Sequence, residues 1–263
     1  MARIMLAIDN FGTGDSALKK IKEVLFSKIG EEVGWIKLND ILHIRDLPSP
    51  EFFDNLYTVL KEVGREDICI LLDMKLADVT STLVNVLKHY SIGSSTMVTL
   101  RESCSMNGYV NLKESFPDLK ISLVSLLTDI KPDECQRRYG MTPPMKIAND
   151  ITNLELEYKE IMGNDWNKPL FDFIVCSTSE VDLLRKIFGD IYNFMCPGIQ
   201  DKWMKKNHQT RVSSILNAYK LGIYPVIGSQ ILTGNPSEGI SPEQSRELTR
   251  LEIEKYVNRI IGR

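Results

Sequence analysis

Short apolar runs alternate with longer stretches in which apolar residues recur every three or four positions. The short runs lie at 4–8, 33–38, 68–72, 96–100, 121–126, 171–175, 192–195 and 224–227. Runs of this length bounded by polar residues read as buried strands. Between them, 15–27, 50–63, 78–89, 179–188, 210–221 and 242–260 read as amphipathic helices, several opened by a capping Asp, Ser or Thr. Strand–helix alternation predicts a parallel sheet. Eight such units in one chain fit a (β/α)8 TIM barrel, here a single α/β domain over 1–263, with a doubly wound sheet as the alternative because periodicity does not show closure. The stretch 131–167, with Pro132, Pro143, Pro144 and Gly163, reads as a loop followed by a helix near 154–162. Residues 198–210, which include Lys202, Lys205 and Lys206, read as a lid loop.

Composition narrows the function classes. The chain has 263 residues and a net charge of −3, so no overall cationic field favours nucleic acid or an anionic membrane. No apolar run approaches the roughly 18 residues of a membrane span. The N-terminal apolar stretch is too short for a signal peptide and meets Asp9 early. Five widely spaced cysteines without a C-x-x-C, and His43, His89 and His208 without zinc-ligand spacing, suggest a cytoplasmic protein with reduced thiols and no metal site.

The ends of the predicted strands concentrate the candidate chemistry, since a barrel of this kind opens its site there. Strand 1 ends at Asp9, strand 2 carries Lys37, and strand 3 runs Ile70-Leu71-Leu72-Asp73-Met74-Lys75, with Asp78 and Thr82 opening the next helix. Thr128 and Asp129 end strand 5, Pro197 and Gly198 follow strand 7, and Gly228 and Ser229 follow strand 8. A polar residue at one strand end is ordinarily a cap. Lysines on inward faces are rarer, because a buried ammonium needs a partner. Lys37, Asp73, Lys75 and Asp78 therefore read as an alternating charge array, with Lys75 placed as a general acid between carboxylates. Such an array suits delivery of a proton to a carbanion.

The run D-M-K-L-A-D-V-T-S-T at 73–82 resembles the D-x-K-x-x-D signature of the orotidine 5'-phosphate decarboxylase family, including its Thr four residues on. L-A-I-D at 6–9, W-I-K-L at 35–38, L-V-S-L-L-T-D at 123–129, F-I-V-C-S-T-S-E at 173–180, C-P-G-I-Q at 196–200, H-Q-T-R-V at 208–212 and V-I-G-S-Q-I at 226–231 are similar to its other landmarks. The resemblance implies a homodimeric barrel that converts orotidine 5'-phosphate, a small-molecule nucleotide, to uridine 5'-phosphate without metal or organic cofactor. It implies that Asp73 crowds the departing carboxylate, Lys75 protonates the pyrimidine carbon, and Lys37 orders the array. It further implies that Asp9 holds a ribose hydroxyl, Thr128 and Asp129 face the base, and Pro197 lines the site. Gln209 would bridge base and phosphate, Gly228 would donate to the phosphate, and Asp78 and Thr82 would reach the neighbouring subunit's site. Three positions depart from the family pattern: Ser229 replaces its phosphate-binding Arg, Asp129 replaces a Ser, and Arg101 stands where many bacterial members have His. A related nucleotide or nucleoside as ligand is thus the alternative. So is a Mg²⁺-dependent sugar-phosphate decarboxylase or aldolase of the sister family, although Lys37 stands where that family has an acidic residue.

Overall fold

The computed structural model describes residues 3–43, 50–90, 95–163, 168–204 and 212–261. Eight parallel strands close into a barrel in sequence order: β1 (Ile4–Ile8), β2 (Val33–Leu38), β3 (Cys69–Leu76), β4 (Thr96–Arg101), β5 (Lys120–Val124), β6 (Phe173–Val175), β7 (Asn193–Cys196) and β8 (Tyr224–Ile227), with β8 pairing back onto β1. The barrel expected from the sequence is therefore the fold, and the doubly wound alternative falls.

Closure divides each strand's side chains between two cores by the two-residue alternation of extended chain. One set, including Ile4, Leu6, Ile36, Leu72 and Leu100, packs outward against the helices. The other, including Met5, Ala7, Leu71, Met97, Val124, Val175, Met195 and Val226, fills the barrel. Near the strand starts, Trp35 meets Phe173 edge-to-face at 5.5 Å and Phe173 meets Tyr224 at 5.0 Å. These rings plug one end, so polar side chains gather at the other.

The helices follow local signals. In α1 (Gly14–Leu25), Ala17, Leu18, Ile21, Val24 and Leu25 form the buried stripe, and the Thr13 hydroxyl caps the start by accepting from Ser16 N–H. Next come α2 (Pro50–Glu62), α3 (Thr80–Lys88) and α4 (Met106–Ser115). The segment 131–167 departs from expectation. Instead of a loop and one short helix it holds α5 (Pro132–Tyr139) and α6 (Pro143–Met162). Its prolines occupy first-turn positions, where the missing N–H costs nothing and the fixed φ favours helix entry, so they start helices here. Gly140 then ends α5 at φ +68°. The remaining helices are α7 (Val181–Phe188), α8 (Ile215–Lys220), α9 (Ser229–Leu232) and α10 (Pro242–Ile261). Among the described residues no helix is long and apolar enough to cross a membrane.

Candidate active site

A cavity of about 570 Å³ opens at the C-terminal rim of the barrel. Its charged wall comes from β1 to β3 and carries Asp9, Lys37, Asp73 and Lys75. Its opposite wall is largely apolar, with Val124, Leu126, Val175, Met195, Pro197 and Val226. Thr128, Gly228 and Ser229 also line it.

The four charges form a connected set. Lys37 Nζ lies 3.0 Å from Asp73 Oδ2 and 3.4 Å from Asp9 Oδ1, and Lys75 Nζ lies 2.9 Å from Asp73 Oδ1. Asp73 and Lys37 are buried, whereas Lys75 is half-buried with its amine at the cavity. Burial pushes the Asp73 carboxyl pKa up, but Lys37 and Lys75 together outweigh it and hold the group below its ordinary 3.8. Burial alone would lower the Lys37 pKa, and Asp73 and Asp9 reverse this, holding the ammonium above its ordinary 10.5. Asp9 goes the other way: burial raises its pKa, Lys37 opposes this, and the nearby Asp40 carboxylate adds to the rise.

The backbone bends to build this arrangement. β3 and β4 pair regularly to Leu72–Val98 and resume only at Leu76–Leu100, so 73–75 bulge out of the ladder. Within the bulge Lys75 has φ +49°. Among the described residues the other non-glycine with positive φ is Asn10, at +66°, whose N–H donates to Asp40 Oδ2 at 2.6 Å. Both border the cavity, which puts the local strain where side chains are aimed rather than where the chain merely turns. Where β8 closes onto β1, Gly228 passes so near that a Cβ would meet Ala7 O at 3.2 Å.

The sequence-derived residues divide into three groups. Asp9, Lys37, Asp73, Lys75, Thr128, Pro197, Gly228 and Ser229 share the one cavity. Asp78 is exposed, its carboxylate accepting from Val79 N–H, and Thr82 is half-buried; neither lines this chain's own cavity. Asp129 is also exposed and does not line it. Gln209, with Lys205, Lys206 and Arg211, lies outside the described residues, as does the second half of the proposed lid. Arg101 pairs with Glu102 at 3.1 Å, away from the cavity lining.

The structure also brings in two residues that the sequence reading did not single out. Thr99, fully buried on β4, donates to Asp73 Oδ1 at 3.0 Å and accepts from Lys75 N–H at 2.8 Å. Its alternation with Met97 is the signal that places it inside the barrel. Gln230, buried behind Ser229, bonds Asp201 and the Thr249 hydroxyl of α10.

Comparison with known proteins agrees with this geometry. Residues 2–239 match the model of the Orotidine 5'-phosphate decarboxylase / HUMPS family. The chain is 26% identical over 190 residues to the orotidine 5'-phosphate decarboxylase of Gloeothece citriformis, covering 70% of this chain and 76% of the relative. It is 25% identical over 241 residues to that of Prochlorococcus marinus strain NATL2A, covering 89% and 91%. The crystal structure of orotidine 5'-phosphate decarboxylase from Lactobacillus acidophilus superposes with a TM-score of 0.63 at 18% identity, covering 96% of this chain and 99% of that one, which is a likeness of fold. With nearly its whole barrel matched, the chain belongs to the orotidine 5'-phosphate decarboxylase / HUMPS family.

Proposed function

We propose that this chain, a carboxy-lyase of that family, converts orotidine 5'-phosphate to uridine 5'-phosphate and carbon dioxide, a step of pyrimidine nucleotide formation. The observation that carries the reading is the Lys37–Asp73–Lys75 set facing a largely apolar wall. Loss of carbon dioxide leaves an electron pair on the pyrimidine carbon, which must be stabilised and then protonated. Asp73, kept ionised by two lysines, stands beside the departing carboxylate and repels it more than it repels the product. Lys75 gives the proton: its N–H bond breaks, a C–H bond forms, and the nitrogen keeps the pair. Lys37 holds Asp73 in place and reaches the ribose side, where Asp9 accepts a hydroxyl. The apolar wall takes the face of the base, with Thr128 at its edge. Gly228 and Ser229 take the phosphate end, and Gln209 bridges base and phosphate in the family pattern. A volume of about 570 Å³ suits a nucleotide, within the roughly 300–1,000 Å³ of small-molecule sites.

The working unit in this reading is a cytoplasmic homodimer. In this reading Asp78 and Thr82 complete a neighbour's site; their exposed and half-buried positions, beside a surface groove lined by Val79, Thr80, Val84 and Asn111, support it.

Ser229 supports a second reading, in which the ligand is a related nucleotide or nucleoside. The cations on the described cavity lining are Lys37 and Lys75, and both are already paired with Asp73. The Mg²⁺-dependent sugar-phosphate branch fits less well, because Lys37 already neutralises Asp73 where that chemistry needs a metal-binding acid. Formation of uridine 5'-phosphate from orotidine 5'-phosphate in EDTA is the deciding assay. No product at high enzyme concentration removes the first reading, and Mg²⁺-dependent turnover of a keto-sugar phosphate establishes the third.

A further inference from the structure

We infer that Thr99 is a positioning residue for proton delivery, its hydroxyl fixing at once the carboxylate of Asp73 and the backbone that aims Lys75. The inference rests on the decarboxylase reading for its kinetic consequence, but its geometry stands apart from the substrate. A threonine hydroxyl has one proton to give and lone pairs to accept with. Thr99 gives its proton to Asp73 Oδ1 at 3.0 Å and accepts the Lys75 N–H at 2.8 Å. The same Asp73 oxygen takes the Lys75 amine at 2.9 Å. Thr99, Asp73 and Lys75 thus close a ring in which the backbone N–H and the side-chain amine of one lysine are both tied to one carboxylate.

The ring answers a problem posed by the bulge. Between Leu72 and Leu76 the β3 backbone runs four residues while β4 advances two, from Val98 to Leu100. The amides within the bulge have left the ladder, and a buried N–H without an acceptor is costly. Lys75 is also held at φ +49°, a left-handed conformation that disfavours a residue with a Cβ. Such a backbone persists only where its surroundings fix it. Thr99 lies opposite the bulge, is fully buried, and supplies the acceptor. Without its hydroxyl the Lys75 N–H loses its partner, Asp73 loses a donor, and the bulge is free to relax toward ordinary strand geometry. The amine then leaves the position from which it meets the reacting carbon.

Thr99→Val keeps the shape and removes the hydroxyl, and Thr99→Ser keeps the hydroxyl. With wild type turning over, Thr99→Val is expected to lower kcat about 100-fold, the scale of a small misplacement of a reacting group. KM and uridine 5'-phosphate affinity should stay within about threefold, and Thr99→Ser should return kcat to within about threefold of wild type. An unchanged kcat in Thr99→Val, or a parallel loss of kcat and product affinity that Thr99→Ser does not rescue, overturns the inference. Crystal structures of wild type and Thr99→Val decide it without turnover. Lys75 leaving positive φ, or its amine leaving Asp73, supports the role; retention of both in the variant overturns it. Absence of turnover in the wild type would remove the decarboxylase reading alone.

Discussion

Gln230 and Asp201 hold each other by a reciprocal pair of hydrogen bonds. The Gln230 amide oxygen accepts Asp201 N–H at 2.8 Å, and its amide nitrogen donates to Asp201 Oδ2 at 2.6 Å. Both residues are buried, and the pair joins the segment after β7 to the one after β8, the two that form the cavity's Pro197–Gln200 and Gly228–Thr233 rims. The Gln230 nitrogen also reaches the Thr249 hydroxyl at 2.9 Å. Thr249 belongs to α10, which follows the family-matched residues 2–239, so a helix outside the matched segment braces the rim.

Gln230→Leu breaks this brace and leaves a carboxylate and an N–H of Asp201 without that partner. Burial already raises the Asp201 pKa, with Gln230 opposing the rise. The expected cost is about 1–3 kcal/mol in urea denaturation, the range for stranding buried hydrogen-bonding groups. Because the joined rims sit at the proposed phosphate end, KM should rise more than kcat falls. A variant as stable as wild type would show that the pair carries no net stabilisation.

Comparing Lys75→Gly with Lys75→Ala separates backbone strain from chemistry. Both variants lack the amine, so both should lose turnover by about 10²–10⁴-fold, the usual contribution of a positioned acid. They differ in how they meet φ +49°. Glycine adopts it freely, so Lys75→Gly should be more stable than Lys75→Ala by about 1 kcal/mol. Equal stability would mean that the bulge relaxes when the lysine is removed. Turnover within about tenfold of wild type in either variant would refute Lys75 as the proton donor.

The fold was legible because a barrel writes itself as a repeat: each short run from Ile4–Ile8 to Tyr224–Ile227 became a strand, with ends differing by a few residues. Lys37, Asp73 and Lys75 were legible for a different reason, as charges at positions where alternation demands an inward face. Thr99 was not, since either Thr in Thr96–Arg101 looks like any β-branched strand residue, and its role depends on the bulge opposite. The bulge itself was hidden, because regular alternation already put Asp73 and Lys75 on one face. Pro143 and Pro144 misled for a local reason: proline punctuates a chain equally at a loop and at a helix start.

The acid limb of kcat/KM should belong to Asp9. Its carboxyl is raised above 3.8 by burial, against Lys37, with the Asp40 and Asp73 carboxylates adding to the rise. The carboxyl of Asp73 is held below 3.8 and titrates later as pH falls. The two have opposite linkage to stability. Asp73 stabilises the fold fully above pH 3.8, and that contribution is lost as pH falls through its lower folded pKa. Ionised Asp9 costs stability above its raised pKa, and the cost is relieved as it protonates. Asp40→Asn keeps an oxygen for the Asn10 N–H and removes the charge. The limb should then move to lower pH, whereas an unmoved limb would assign it to another group.

Ser229→Arg tests which end of the cavity receives the phosphate. Ser229 is exposed at the rim, directly after Gly228, so a longer side chain has room to extend without displacing core atoms. A charge-assisted contact contributes about 1.5–3 kcal/mol, which converts to a gain of roughly 10–100-fold in uridine 5'-phosphate affinity. Uridine, which lacks the phosphate, should bind the variant and the wild type alike. A gain confined to the nucleotide would place the phosphate at Gly228–Ser229 and show that the native site binds it without a cation from this position. Equal affinities of variant and wild type for the nucleotide would move the phosphate elsewhere and favour the related-ligand reading. Isothermal titration with both ligands separates these outcomes, because the base and ribose contacts are common to the pair and cancel in the comparison.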